Sequence, residues 1–114
     1  MKTTDHTSHP QYIYVLRPSR PEMLTAGPTE REAVVIGEHA AYLVDLTSRN
    51  ILLMAGRTQT IGPDTMGLAI IQAPSEAEAA EIMKNDPAVK HGVMTATLHP
   101  YEIAFGTLKP QDAR

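Results

Sequence analysis

The chain has 114 residues, 42% hydrophobic, 20% charged and 4% aromatic, a composition that suits one domain with its own core. With no cysteine there can be no disulfide framework, thiolate metal site or cysteine nucleophile. Ten Lys and Arg against thirteen Asp and Glu give a net charge of −3 with interspersed signs, which argues against nucleic acid as a partner.

The first ten residues, MKTTDHTSHP, are polar, lack the apolar core of a signal peptide and are expected to form a disordered tail. No segment approaches the ~20 apolar residues that span a bilayer, so no membrane association and a cytoplasmic location are expected. Residues 12–16 (YIYVL) are β-branched and aromatic and predict a strand. Pro18 and Pro21 lack the N–H a ladder needs, so that strand is expected to give way to a loop over 17–28. A loop of that length invites a functional role. Thr29 and Glu32 stand at capping-box spacing and predict the start of a helix. Its apolar positions are Val35, Ile36, Ala40, Leu43, Val44 and Leu46, with His39 on the same stripe, and Asn50 suits the end. Residues 51–55 and 68–71 are apolar runs separated by Gly56, Gly62, Pro63, Asp64 and Gly67, the pattern of two strands joined by a long hairpin loop. Ser75 and Glu78 repeat the capping-box spacing ahead of an alanine-rich helix through Lys84. Asp86 and Pro87 then suit the N-cap and first position of a further helical turn, closed by Gly92. Residues 93–99 alternate as a last strand, and the segment 107–114 is expected to be a flexible tail.

The order β-α-β-β-α-β over residues 11–106 predicts an α+β, ferredoxin-like domain. Two helices cover one face of such a sheet, yet the strands are apolar on both: Tyr12, Tyr14 and Leu16 oppose Ile13 and Val15, while Leu68 and Ile70 oppose Ala69 and Ile71. In the second strand strict alternation sets Ile51, Leu53 and Ala55 against Leu52 and Met54. A bare face of that kind exceeds what soluble monomers usually expose, which predicts a homodimer.

Among residues able to carry chemistry, His39 stands out, because a helix stripe of Ile, Val and Leu has no need of an imidazole that titrates near neutrality. Asp86 continues the face of Ala79 and Met83 and could reach it, giving a base and the carboxylate that orients it. The structural alternatives are a packed core histidine and an ordinary Asp-Pro N-cap. Gly56 and Arg57 suit close approach to a ligand at a strand end. Tyr12 and Tyr14 on the first strand could stack on bases, but the third strand lacks matching aromatics. His6, His9, His91 and His99 have no carboxylate or cysteine to complete a ligand set, so no metal is expected.

Several of these segments together resemble the YCII-related (YciI-like) family: 38–43 (EHAAYL), 51–56 (ILLMAG), 67–70 (GLAI), and 85–89 (NDPAV) running on to Gly92 and Val93. The resemblance covers roughly residues 12–105. It implies a dimeric α+β barrel of ferredoxin-like protomers, with His39 and Asp86 as an active-site pair and no cofactor. Members include a dehydrochlorinase of chlorinated-aromatic degradation, and the barrel is similar to that of muconolactone isomerase. The chain departs from the family pattern at Ile36, where arginine is frequent, and at Asn50, where glycine is usual. Without a cation at position 36, Arg17 and Arg20 in the 17–28 loop become the candidates to receive an anionic group, and Arg17 and Tyr14 join Gly56 and Arg57 as substrate-binding candidates.

Two functions are therefore expected in competition. One is a small, cofactor-free lyase or isomerase that uses His39 as general acid/base on a cyclic or aromatic substrate, with Asp86 orienting the ring. The other is a non-catalytic dimeric module that binds a metabolite or packs against a partner.

Overall fold

The computed structural model describes residues 9–106. Its elements run β1 (Gln11–Pro18), α1 (Glu22–Thr25), α2 (Glu30–Ser48), β2 (Leu52–Arg57), β3 (Gly67–Gln72), α3 (Glu76–Asn85), α4 (Pro87–Lys90) and β4 (Met94–Tyr101). The strands form one antiparallel sheet in the order β2-β3-β1-β4, the ferredoxin-like arrangement, with β1 and β3 central. None of the described helices is long and apolar enough to cross a membrane. Of the two expected tails, residues 1–8 and 107–114 lie outside the described part. Pro10 is inside it and accepts a hydrogen bond from Ala73 N–H at 3.0 Å.

The strand β1 is longer than its apolar run. Its pairing with β4 extends to Pro18 opposite Met94, and Ser19 N–H bonds to Val93 O at 3.0 Å just beyond it. A proline is tolerated there because pairing with β3 has already ended at Leu16, and the bond to β4 at this end is made by the N–H of Ser19, so the missing donor breaks nothing. The segment expected to be a loop also contains the helix α1, whose buried Met23 packs with Val35 and Val93.

Local chemistry sets the ends of α2. Thr29 Oγ1 accepts from Glu32 N–H at 3.1 Å and Glu32 Oε1 accepts from Thr29 N–H at 2.8 Å, a complete capping box. Asn50 follows the helix at φ 60°, the left-handed conformation that asparagine tolerates. The inward stripe of α2 differs from the expected one: Val35, His39, Tyr42 and Leu46 turn inward, while Ala40 and Val44 are exposed. Ser75 caps α3 by accepting from Glu78 N–H, without the reciprocal bond that would complete a box.

Tyr12, Tyr14 and Leu16 of β1 meet Leu46, Leu52, Ala69, Ile71 and Ala79 in the main core. Their neighbours Ile13, Val15, Leu68 and Ile70 point to the opposite face and belong to neither buried cluster. The strict alternation expected in β2 fails. Leu52 pairs with Ile71 but Met54 pairs with Ile70, so Leu53 is the extra residue of a bulge. Leu52 and Ala55 consequently share the helix-covered face, and Arg57, opposite Gly67, follows them there.

A second use of Glu32 fixes the α1 segment. Arg20 donates to both of its carboxylate oxygens, at 2.7 and 2.9 Å, and to Gly27 O at 3.1 Å. The paired guanidinium, helped by the Thr29 N–H, lowers the Glu32 carboxyl from 4.5 to about 2. The folded chain thus gives up this carboxylate charge less readily than the unfolded chain does. The resulting stabilisation is complete above about pH 4.5 and fades as the pH falls toward 2. Thermal unfolding of wild type and Glu32→Gln should therefore show a gap in Tm at pH 6 that narrows at pH 3. A gap independent of pH would show that the ion pair contributes nothing.

Candidate functional site

Asp86 is the only fully buried acidic side chain among the described residues, and every oxygen it has is engaged. Oδ1 accepts from Ala88 N–H at 2.9 Å, which is the N-cap bond of α4. The same oxygen lies 2.7 Å from Nδ1 of His39 on α2, and Oδ2 accepts from the Tyr14 hydroxyl of β1 at 2.8 Å. The N-cap and the histidine partner, alternatives in sequence terms, are thus the same side chain in two simultaneous roles. Burial, followed by the adjacent Asp86 charge, pushes the Tyr14 phenol far above its ordinary value, so it stays a neutral donor. Tyr42, one turn beyond His39, is raised for the same two reasons, and its hydroxyl donates to Ile82 O at 2.7 Å rather than to the carboxylate.

With Nδ1 held by Asp86, Nε2 is the ring nitrogen left for a ligand. It makes no hydrogen bond to any described residue. His39 lines a cavity of about 510 Å³ between the sheet, α2 and α1. Leu16, Met23, Leu24, Ile36, Leu43 and Met94 make its walls apolar. Arg57 and Thr65 add polar groups, with Gly56 and Gly67 beside them. The bulge at Leu53 is what brings Arg57 here: unbroken alternation from the inward Leu52 would aim it at the other face. Among the described residues Arg57 forms no ion pair.

The sequence candidates are distributed as follows. His39, Gly56 and Arg57 share the cavity, and Asp86 stands directly behind His39. Tyr14 is fully buried and does not line the cavity; its hydroxyl is spent on Asp86. Arg17 continues the Ile13 and Val15 side of β1, away from the cavity, with Nη2 3.7 Å from Met66 Sδ. Arg20 is committed to Glu32 and Gly27. The 17–28 segment thus supplies no replacement cation, only the apolar Met23 and Leu24 of α1, which sequence reading missed. Their i, i+1 position within a proline-bounded segment carries no periodic signal. His91 and His99 are exposed, with His99 Nε2 3.2 Å from Thr97 Oγ1, and His6 lies outside the described residues. No group of three or more His, Asp or Glu able to hold a metal occurs among the described residues.

The fold is similar to that of a 5-chloro-2-hydroxyhydroquinone dehydrochlorinase from Burkholderia phenoliruptrix AC1100, solved in complex with 2,5-dihydroxybenzoquinone. The TM-score is 0.59 at 22% sequence identity, over 82% of this chain and 95% of that one. No curated protein matches the chain significantly. The model of the YCII-related domain matches residues 12–98, a span from β1 into β4 that contains both His39 and Asp86, and by that match the chain belongs to the YCII-related domain family.

Proposed function

We propose that the protein is a cytoplasmic, cofactor-free enzyme of lyase or isomerase type, in which His39 transfers a proton on a small, mainly apolar, cyclic substrate. The observation that carries this reading is an imidazole that lines an apolar cavity and is backed on Nδ1 by a buried carboxylate. An ionised carboxylate only accepts, so Nδ1 carries the ring proton and Nε2 presents its lone pair. When Nε2 takes a proton from substrate, the imidazolium that forms already faces the Asp86 charge. The electron pair left on the substrate then has two outlets. It can expel a leaving group such as chloride from a neighbouring ring carbon, or move along the ring to a carbon that regains the proton from Nε2–H. The first is an elimination and the second an isomerisation. Both are redox-neutral and require no electron acceptor.

Arg57 would hold the oxyanion that develops during either course, with the side-chain-free Gly56 permitting close approach. The cavity suits a substituted single ring. The chlorinated hydroxyhydroquinone substrate of the fold neighbour supports this class without fixing the compound. Turnover of small chlorinated hydroxyaromatics and lactones should fall about 10²- to 10⁴-fold in His39→Ala, the usual contribution of a general base, while circular dichroism remains unchanged. Full turnover in that variant, or no turnover of any such compound by wild type, would favour the non-catalytic binding module.

The same proposal includes a homodimer. Ile13, Val15, Met54, Leu68 and Ile70 form a contiguous apolar face that no helix covers, bordered by Thr95, Thr97 and His99 of β4. A second sheet laid against it would bury that face from both chains. Sedimentation at micromolar concentration should give twice the chain mass, and Val15→Glu should give the chain mass. A wild-type monomer would sink the dimer.

A further inference from the structure

The Tyr14 hydroxyl is left unexplained by the proposed chemistry, since it touches neither cavity nor substrate, yet it is buried beside the one carboxylate that meets His39. A phenylalanine would fill the same volume in the core. We infer that Tyr14 is a positioning residue: acting through Asp86, it holds the carboxylate in the orientation that meets His39 and tempers the negative potential felt by the imidazole. This role rests on the reading of His39 as the acid/base group.

A carboxylate can rotate about its terminal bond, and three donors from three elements fix it: Ala88 N–H and His39 Nδ1 on Oδ1, and the Tyr14 hydroxyl on Oδ2. Tyr14 is the only one of these that locates Oδ2, and so the only one that prevents the carboxylate plane from turning about Oδ1. The hydroxyl points its positive end at Asp86, which lowers the charge density available to His39.

The other groups around the pair do not duplicate this role. Tyr42 of α2 is close enough for the Asp86 charge to disfavour its ionisation, but its hydroxyl is committed to Ile82 O. Arg57 of β2 lines the cavity, and its guanidinium is not among the donors to Asp86. The inward residues of β3 and β4, namely Gly67, Ala69, Ile71, Met94, Ala96 and Leu98, are uncharged, as are Met23 and Leu24 of α1 and Ala79, Met83, Ala88 and Val89 of α3 and α4.

The test is an NMR titration of the His39 ring in the full chain, which requires no substrate. In Tyr14→Phe Oδ1 stays tied to Ala88 N–H and faces His39, while Oδ2 loses its donor, so the potential at His39 becomes more negative and the midpoint should rise by about half to one pH unit, a three- to tenfold gain in proton affinity. Replacing Tyr14 by 3-fluorotyrosine, which strengthens the donor while keeping the shape, should move the midpoint the opposite way. This second replacement preserves all three hydrogen bonds, so it answers the question even if Tyr14→Phe does not fold. A midpoint that stays within about 0.2 unit of wild type in the fluorinated protein, or that moves upward in it, overturns the inference. Because the readout is a titration, it separates from the catalytic reading: active wild type with an unmoved midpoint sinks the role of Tyr14, whereas a moved midpoint with no effect of His39→Ala on turnover sinks the acid/base role of His39.

Discussion

A buried carboxylate is the constraint around which this fold is organised. Leaving a charge unsolvated in an apolar interior costs several kcal/mol unless donors replace the lost water, and stripping one partner from such a group typically costs about 3–5 kcal/mol. Asp86 meets that demand with a backbone N–H from α4, an imidazole from α2 and a phenol from the central strand β1. The elements must therefore arrive together, within hydrogen-bond distance of one point. Site and scaffold are here the same object, because the contacts that orient His39 are also those that make burial of Asp86 tolerable.

The cavity in front of His39 follows a complementary logic. Its walls come from elements fixed for other reasons: Leu16 at the end of a core strand, Ile36 and Leu43 on α2, and Met23 and Leu24 on a short helix tied down by Arg20 and Glu32. Apolar walls exclude water and lower the local dielectric, which strengthens the few polar interactions that remain. Methionines at 23, 66 and 94 give those walls adaptable surfaces. With position 36 occupied by isoleucine, the cationic character of the cavity is concentrated in Arg57, at the end of β2.

One extra residue in β2 decides where that cation goes. Side chains alternate with a period of two, so an insertion into one strand reverses the facing of everything after it. The bulge at Leu53 turns Ala55 and Arg57 toward the helices and leaves Met54 beside Ile70 on the open face. The chemistry of the cavity and the composition of the uncovered face thus change together at a single backbone irregularity.

Most of the architecture was legible in local sequence signals. The capping box at Thr29 and Glu32, the left-handed Asn50, the Asp86-Pro87 helix start and the apolar runs of the strands act over a few residues, and they set the element order and the two-sided apolar sheet. His39 was visible as an imidazole on an apolar stripe. Three features depended on contacts distant in sequence and required the tertiary structure. The bulge arises from the register of β2 on β3, which no alternation within 51–55 reveals. The fates of Arg17, Arg20 and Tyr14 were set by which face of β1 each occupies and by partners in other elements. Asp86 alone could be read as a helix cap, and only the packing of α2 against α4 and β1 makes it a carboxylate shared by a cap, a phenol and an imidazole. Sequence determines the local conformations because their causes are local; the site is a convergence of groups 47 and 72 residues apart, and only the folded chain brings such groups to one carboxylate.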